Sequence, residues 1–385
     1  MIHSLFSGDG PRSRPLAILL VLILVCLAFG PFLFSGTRAF AMLGTICIFI
    51  IVVASYDLML GYTHIVSFAH TMFFGIGAYG VAMAMAAWGN SIGAIFGGLA
   101  AALLLSLALA LLLGLLSLRV KAIFFALVTL AVAFAFLNLV NQLYHVTGGE
   151  DGLRVTVPRV LGPAYRLVEG SVPGFSIDTF IASLGLGLGE AAREAAFQVR
   201  VTGRVVMYYV AFTSAVLVFL LLLRLVNSPF GRVLQAIREN EFRAEALGYR
   251  TVFYRTAIVM LAAALATLAG ALFALFNRYV NPENTLNFEL MVFILLMCVI
   301  GGMGTLYGAV VGVAVFLLAQ NYLQDVLRGL SHLVGEGWLQ ELLAPEHWLL
   351  WFGLLFVLSV YFFPKGIVGQ LRAVAARRRT ARAQG

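Results

Sequence analysis

The chain has 385 residues, of which 62% are hydrophobic and 11% charged, and its mean hydropathy is +1.00. Soluble domains run nearer roughly 45–50% apolar and about 25% charged, so one buried core with a solvated coat is excluded, and so is disorder. The formal charge of +8 comes from 25 Lys+Arg against 17 Asp+Glu, and in so apolar a chain it reads as basic residues gathered at the inner ends of membrane spans, not as a nucleic-acid surface.

The apolar residues come in long blocks that do not alternate, which argues against a β-barrel. The fold class expected is all-α: a polytopic helical membrane protein with about nine or ten transmembrane or re-entrant helices. In chain order the apolar spans fall at about 16–36, 40–60, 72–89, 92–117, 122–143, 204–226, 252–276, 289–318 and 347–363. The first follows Arg12 and Arg14 and precedes Ala39–Ala41, as a signal peptide would, but it is too long for an h-region and reads as an uncleaved helix.

Residues 61–80 are too polar for a plain span and too apolar for an exposed loop; they carry Thr63, His64, Ser67, His70 and Thr71. Gly75, Gly77 and Gly80 spell a dinucleotide-loop pattern, but without a preceding strand they read as small residues for helix contact. The run 289–318 is too long for one span and too short for two. Its centre, Gly301–Thr305, predicts a hairpin that dips in and returns, or two short helices. Backbone freed at membrane depth must face protein or water, which places Gly301–Thr305 near a translocation path, with close helix packing as the alternative. Asp57 and Glu289 are the acids in or at the margins of apolar spans; each reads as a functional candidate or as an interfacial group, and Asp57 also as a group hydrogen-bonded within the bundle.

With residues 1–15 inside, Arg119, Lys121, Arg232, Arg238, Arg243, Arg250 and Arg255 also fall inside, as does the tail 365–385, which is basic and has no acid. The outer segments are then 144–203 and 319–346, and the membrane domain is 16–364. Between two spans lies 228–250, on the inner side. Ser228-Pro229 ends one helix and opens another, Asn240 restarts it, and Gly248 stops it. Val233, Ala236 and Ile237 share a face, and Arg232, Arg238, Glu239, Glu241 and Arg243 supply both signs of charge. That mixture suits a protein partner better than anionic lipid.

Cys26, Cys47 and Cys298 all sit in apolar runs and suggest neither a disulfide framework nor a metal site. The six histidines, His3, His64, His70, His145, His332 and His347, have no metal-ligand spacing. There is no H-E-x-x-H and no Gly-Lys pair for a P-loop, and no catalytic, metal or cofactor residue is expected in this chain. Any ATP has to be handled by another subunit.

Five segments together resemble the LivM-type permeases of branched-chain amino acid ABC importers. Gly61–Tyr79 is similar to that family's G-x-x-S-x-G-H-x-x-F-F-G-I-G-A-Y, and Thr147–Leu153 to its T-G-G-x-D-G-L. Ser228–Gly248 is similar to its cytoplasmic S-x-F-G-R-x-L-x-A-I-R loop, Gly301–Gly308 to G-G-x-G-T-x-x-G, and Pro364–Gly369 to P-x-G-x-x-G. The resemblance spans about 40–370. It departs at Ala69, at Ala309 and in the long stretch after Leu153, which leaves urea, short amides or aromatic acids as alternative cargoes.

The resemblance implies an ABC importer permease fold in a bacterial inner membrane, with both termini cytoplasmic. It further implies a second, homologous permease subunit, two cytoplasmic ATPases that bind ATP and Mg, and a periplasmic substrate-binding protein. It marks Gly231, Arg232, Ala236, Arg238, Glu239 and Gly248 as the residues that couple to the ATPases. Ser67, His70, Gly301, Gly302 and Thr305 are the path candidates. The competing readings are an ion-coupled secondary transporter, which wants more midplane acids and an inverted repeat, and an intramembrane enzyme, which wants paired carboxylates or a metal cluster.

Overall fold

The computed structural model describes residues 14–34, 36–116, 122–162, 201–334, 341–363 and 365–373, with 165, 172–173 and 198–199. Lys121, Arg119, most of 144–203 and the end of the basic tail lie outside the described residues.

The apolar blocks fold as α1 Arg14–Ala28, α2 Thr37–Thr63, α3 His70–Trp88, α4 Ile92–Leu116, α5 Ala122–Gln142 and α6 Gly203–Val226. After the polar helices α7 Pro229–Glu239 and α8 Glu241–Ala246 come α9 Thr251–Asn277, α10 Phe288–Gly301, α11 Leu306–Val334 and α12 Trp348–Phe362. Eight of the described segments are long and apolar enough to cross a membrane, and α1 and α12 are shorter. The chain is a multi-pass helical membrane protein.

Helices α2, α3 and α9 form the centre, and their side chains are mostly buried; α4 and α5 flank them with mostly exposed apolar faces. Glycine permits the tight middle. A side-chain carbon on Gly77 would collide with the Thr267 carbonyl, and one on Gly270 with that of Phe74. Backbones this close are the membrane substitute for a hydrophobic drive between helices. Thr267 adds a hydroxyl bond to Phe73 O at 3.2 Å, and lies 2.6 Å from Ser106 of α4.

The two ends of the bundle differ. At one end, strand β1 (Leu153–Arg154) pairs antiparallel with β4 (Tyr279–Val280), and Arg38 at the start of α2 pairs with Asp325 of α11 at 2.8 Å. A second short ribbon joins β2 (Val172–Pro173) to β3 (Gln198–Val199). At the other end sit α7 and α8.

Four expectations need correction. The span at 16–36 stops at Ala28, because Pro31 has no N–H to offer Leu27 O; Tyr208 and Tyr209 donate instead to the carbonyls of Leu27 and Ala28, at 2.6 and 2.9 Å. The break foreseen over 61–80 shrinks to residues 64–69, since α2 runs through Thr63 and α3 opens at His70. The run 289–318 does break at its glycines, but into unequal parts: α10 has 14 residues and α11 has 29. The outer segment placed at 319–346 is therefore helical as far as Val334. A short helix followed by a long return accounts for a run too long for one span and too short for two.

Candidate functional site

Local signals build the polar helices. Ser228 caps α7 by accepting from Gly231 N, and Pro229 occupies the first turn; Asn240 caps α8 by accepting from Arg243 N at 3.0 Å. Gly248, at φ +89°, makes the stop that only glycine takes without strain. Val233, Leu234 and Ile237 are buried and Ala236 half-buried, while Arg232, Arg238 and Glu239 are exposed. Gly231 lies so close to Val226 that a side chain there would collide with the Val226 carbonyl. Glu241 pairs with Arg255 at 2.9 Å, which fastens α8 to α9.

Arg238 reaches across to the end of α2. Its Nε–H donates to His64 Nε2 at 3.2 Å. His64 ends α2 in the left-handed conformation, φ 53°. Partial burial, and after it the Arg238 guanidinium, lower the His64 pKa, which favours the neutral ring that can accept this bond. The guanidinium also lies over Gly304, where a side-chain carbon would sit 2.6 Å from Nη1.

Gly304 belongs to the turn between α10 and α11. Gly302 (φ 118°) and Gly304 (φ 75°) take conformations that favour glycine. Gly304 N–H donates to Asp57 Oδ1 at 2.7 Å, and the Cys298 thiol reaches the same oxygen at 3.3 Å. Thr305 Oγ1 donates to Gly302 O at 2.7 Å, closing the turn. Gly301 abuts Gly308, and Gly366, beyond α12, abuts Gly302. Thus Gly301, Gly302 and Thr305 stand beside Arg238, at the α7 end of the bundle.

Ser67 and His70 lie deeper and serve the break itself. Ser67 Oγ accepts from Ala69 N at 3.3 Å. His70 is buried, with Nε2 3.0 Å from Ser55 Oγ and 3.2 Å from Val52 O, and its ring packs on Tyr56. The chain therefore turns back after α2 and climbs beside it before α3 begins. Sequence reasoning left His64 without a role, and it gave Asp57 no partner; here His64 accepts from Arg238, and Asp57 is hydrogen-bonded within the bundle, to the glycine turn. No local signal announces a pair separated by 174 positions.

Residues 38–360 match the family described as the branched-chain amino acid transport system permease component. The chain belongs to that family. The permease is 25% identical over 366 residues to the high-affinity branched-chain amino acid transport system permease protein LivM of Salmonella typhimurium, an alignment covering 94% of this chain and 77% of the relative. It is 26% identical over 368 residues to the LivM of Escherichia coli, with the same coverage. A probable LivM of Methanocaldococcus jannaschii matches at 29% over 167 residues, 42% of this chain and 46% of that one. No solved structure matches significantly. The matched region holds both backbone breaks and α7, while Gly366 of the permease lies beyond it.

Proposed function

We propose that this permease is one of two homologous membrane subunits of an ATP-driven importer, and that it carries branched-chain amino acids across a bacterial inner membrane. Two cytoplasmic ATPases, which bind the ATP and Mg, dock on α7 and α8, and a periplasmic binding protein delivers cargo to the opposite end. Gly231 and Gly248 shape the docking helices, Arg232, Ala236 and Glu239 face the ATPase, and Arg238 carries the motion inward. The α7 end is cytoplasmic in this reading because Arg232, Arg238, Arg243, Arg250 and Arg255 lie on or beside α7 and α8.

The observation that carries the proposal is the reach of Arg238, from an exposed polar helix to the end of α2 and to the glycine turn at once. A rocking of α7 acts on both breaks through one side chain. Reversing the charge, Arg238→Glu, is expected to cut cargo-stimulated ATPase in the reconstituted transporter by about tenfold or more, since the charge-assisted hydrogen bond to His64 is lost. Glu239→Arg, on the exposed side, is expected to weaken ATPase docking instead. Full stimulation in both variants would remove α7 from the coupling route. Gly301→Leu is expected to lower both uptake and the amount of folded protein in the membrane, because a side-chain carbon there would collide with the Gly308 carbonyl. Calorimetry of the companion binding protein with leucine, isoleucine, valine, urea and phenylalanine would identify the cargo class.

A further inference from the structure

Two helix breaks enter the bundle from opposite ends and meet: 64–69, which has no regular helix, and 281–287, which holds a single helical turn at Pro282–Thr285. From the α7 end, 64–69 climbs beside α2 until His70 sits against Val52 and Ser55. At 1.5 Å per helical residue, that is about 12–17 Å back from Thr63. From the ribbon end, 281–287 descends after β4. Asn281 holds it by accepting from Asn284 N and from Thr285 Oγ1, and Leu286 is pressed against Gly75 of α3. Gly75 is about 20 Å inward from Trp88, by the same helical rise. Where they meet, Phe68 and Phe288 have ring centroids 6.0 Å apart, and Phe134 of α5 stands 6.1 Å beyond Phe288.

This meeting point is not core. Along 64–69 the chain alternates: Ile65, Ser67 and Ala69 are buried, whereas His64 is exposed and Val66 and Phe68 are half-exposed. Phe288 is 39% and Phe134 42% exposed. Phe68 N–H is held by Thr129 Oγ1 at 3.0 Å, but the N–H groups of Val66 and Ser67 meet no acceptor among the described residues. Unpaired backbone at this depth cannot face lipid; it needs protein, water or a solute.

We infer that Phe68 and Phe288, with Phe134 beside them, form the constriction of the solute path and take the apolar part of the cargo as it passes. This rests on the permease reading above. A row of three partly exposed rings in mutual contact suits an aliphatic side chain, and the N–H groups of Val66 and Ser67, which meet no acceptor among the described residues, suit the carboxylate that accompanies it. The constriction opens when the two stretches separate, and His64, at the foot of one of them, is the residue that Arg238 holds.

The test is cysteine accessibility in cells carrying the complete transporter. Phe68→Cys, Phe134→Cys and Phe288→Cys are treated with a charged, membrane-impermeant thiosulfonate. Leu104→Cys on α4 and Leu217→Cys on α6, both at strongly exposed apolar positions, serve as lipid-facing controls. The parent chain, with Cys47 and Cys298 buried and Cys26 half-buried, sets the background. A thiol in lipid stays protonated and unreactive, so the constriction positions are expected to react at least about tenfold faster than the controls. Cargo is expected to slow that reaction, and completed modification to abolish uptake. Reaction at the control rate, or fast reaction with uptake intact, overturns the proposal while the unmodified transporter still takes up cargo. A complete transporter that takes up nothing before treatment counts against the permease reading itself.

Discussion

Replacing Gly270 with leucine is expected to leave little folded protein in the membrane. The backbone of α9 touches that of α3 at this point, and a side-chain carbon on Gly270 would collide with the Phe74 carbonyl and come within 3.0 Å of Ala78 N. Backbone cannot step aside as a flexible side chain can, so the two helices must separate. That separation also pulls Thr267 from Phe73 O and Ser106, and it opens the centre on which α2 and α4 rest. Overpacking of this kind costs on the order of 3 kcal/mol or more, a large share of a stability of about 5–15 kcal/mol. Gly329→Leu, in α11, meets nothing within 4 Å and is expected to stay within about 0.5 kcal/mol of the parent. The check is the melting temperature of each variant in detergent, together with the monodisperse fraction. Equal values for the two leucines would show that α3 and α9 are not packed as described.

Truncating Asp57 to alanine is expected to loosen the glycine turn, and Asp57→Asn to preserve it. The Asp57 carboxylate is buried and accepts from Gly304 N–H. Alanine leaves that half-buried donor without its acceptor, which costs about 1 kcal/mol, whereas asparagine keeps an acceptor oxygen in place. Because Arg238 lies over Gly304, the loss is also expected to reach coupling: Asp57→Ala should lower cargo-stimulated ATPase more than basal ATPase. Thermal melting and ATPase measured on the same preparations would decide it. An alanine variant as stable and as well coupled as the asparagine one would leave the carboxylate without a structural task.

Much of this architecture could be read in the amino acids before any coordinates. Hydropathy places every apolar helix, because in lipid each backbone group must be paired within its own segment and the segment length is dictated by the membrane. The limits of α7 and α8 were legible almost to the residue, since Ser228, Pro229, Asn240 and Gly248 act on their immediate neighbours. What stayed hidden is long-range. The depth to which 64–69 climbs depends on His70 finding Val52 and Ser55, and nothing in residues 64–69 encodes that distance. The true length of α11 was hidden because polar residues such as Gln320, Asn321 and Asp325 look like loop, although Asp325 meets Arg38 at the bundle end. Grouping Ser67 and His70 with Gly301–Thr305 merged two breaks that the fold keeps at different depths.

The way α1 is finished bears on how the molecule is made. Its last two carbonyls, at Leu27 and Ala28, are satisfied by hydroxyls of Tyr208 and Tyr209, 181 positions further along the chain. A ribosome delivers α1 to the bilayer long before α6 exists. During that interval α1 carries an uncompleted end next to Gly30-Pro31, and its place in the bundle is settled only when α6 arrives. A segment synthesised well before α6 is thus locked down only after it.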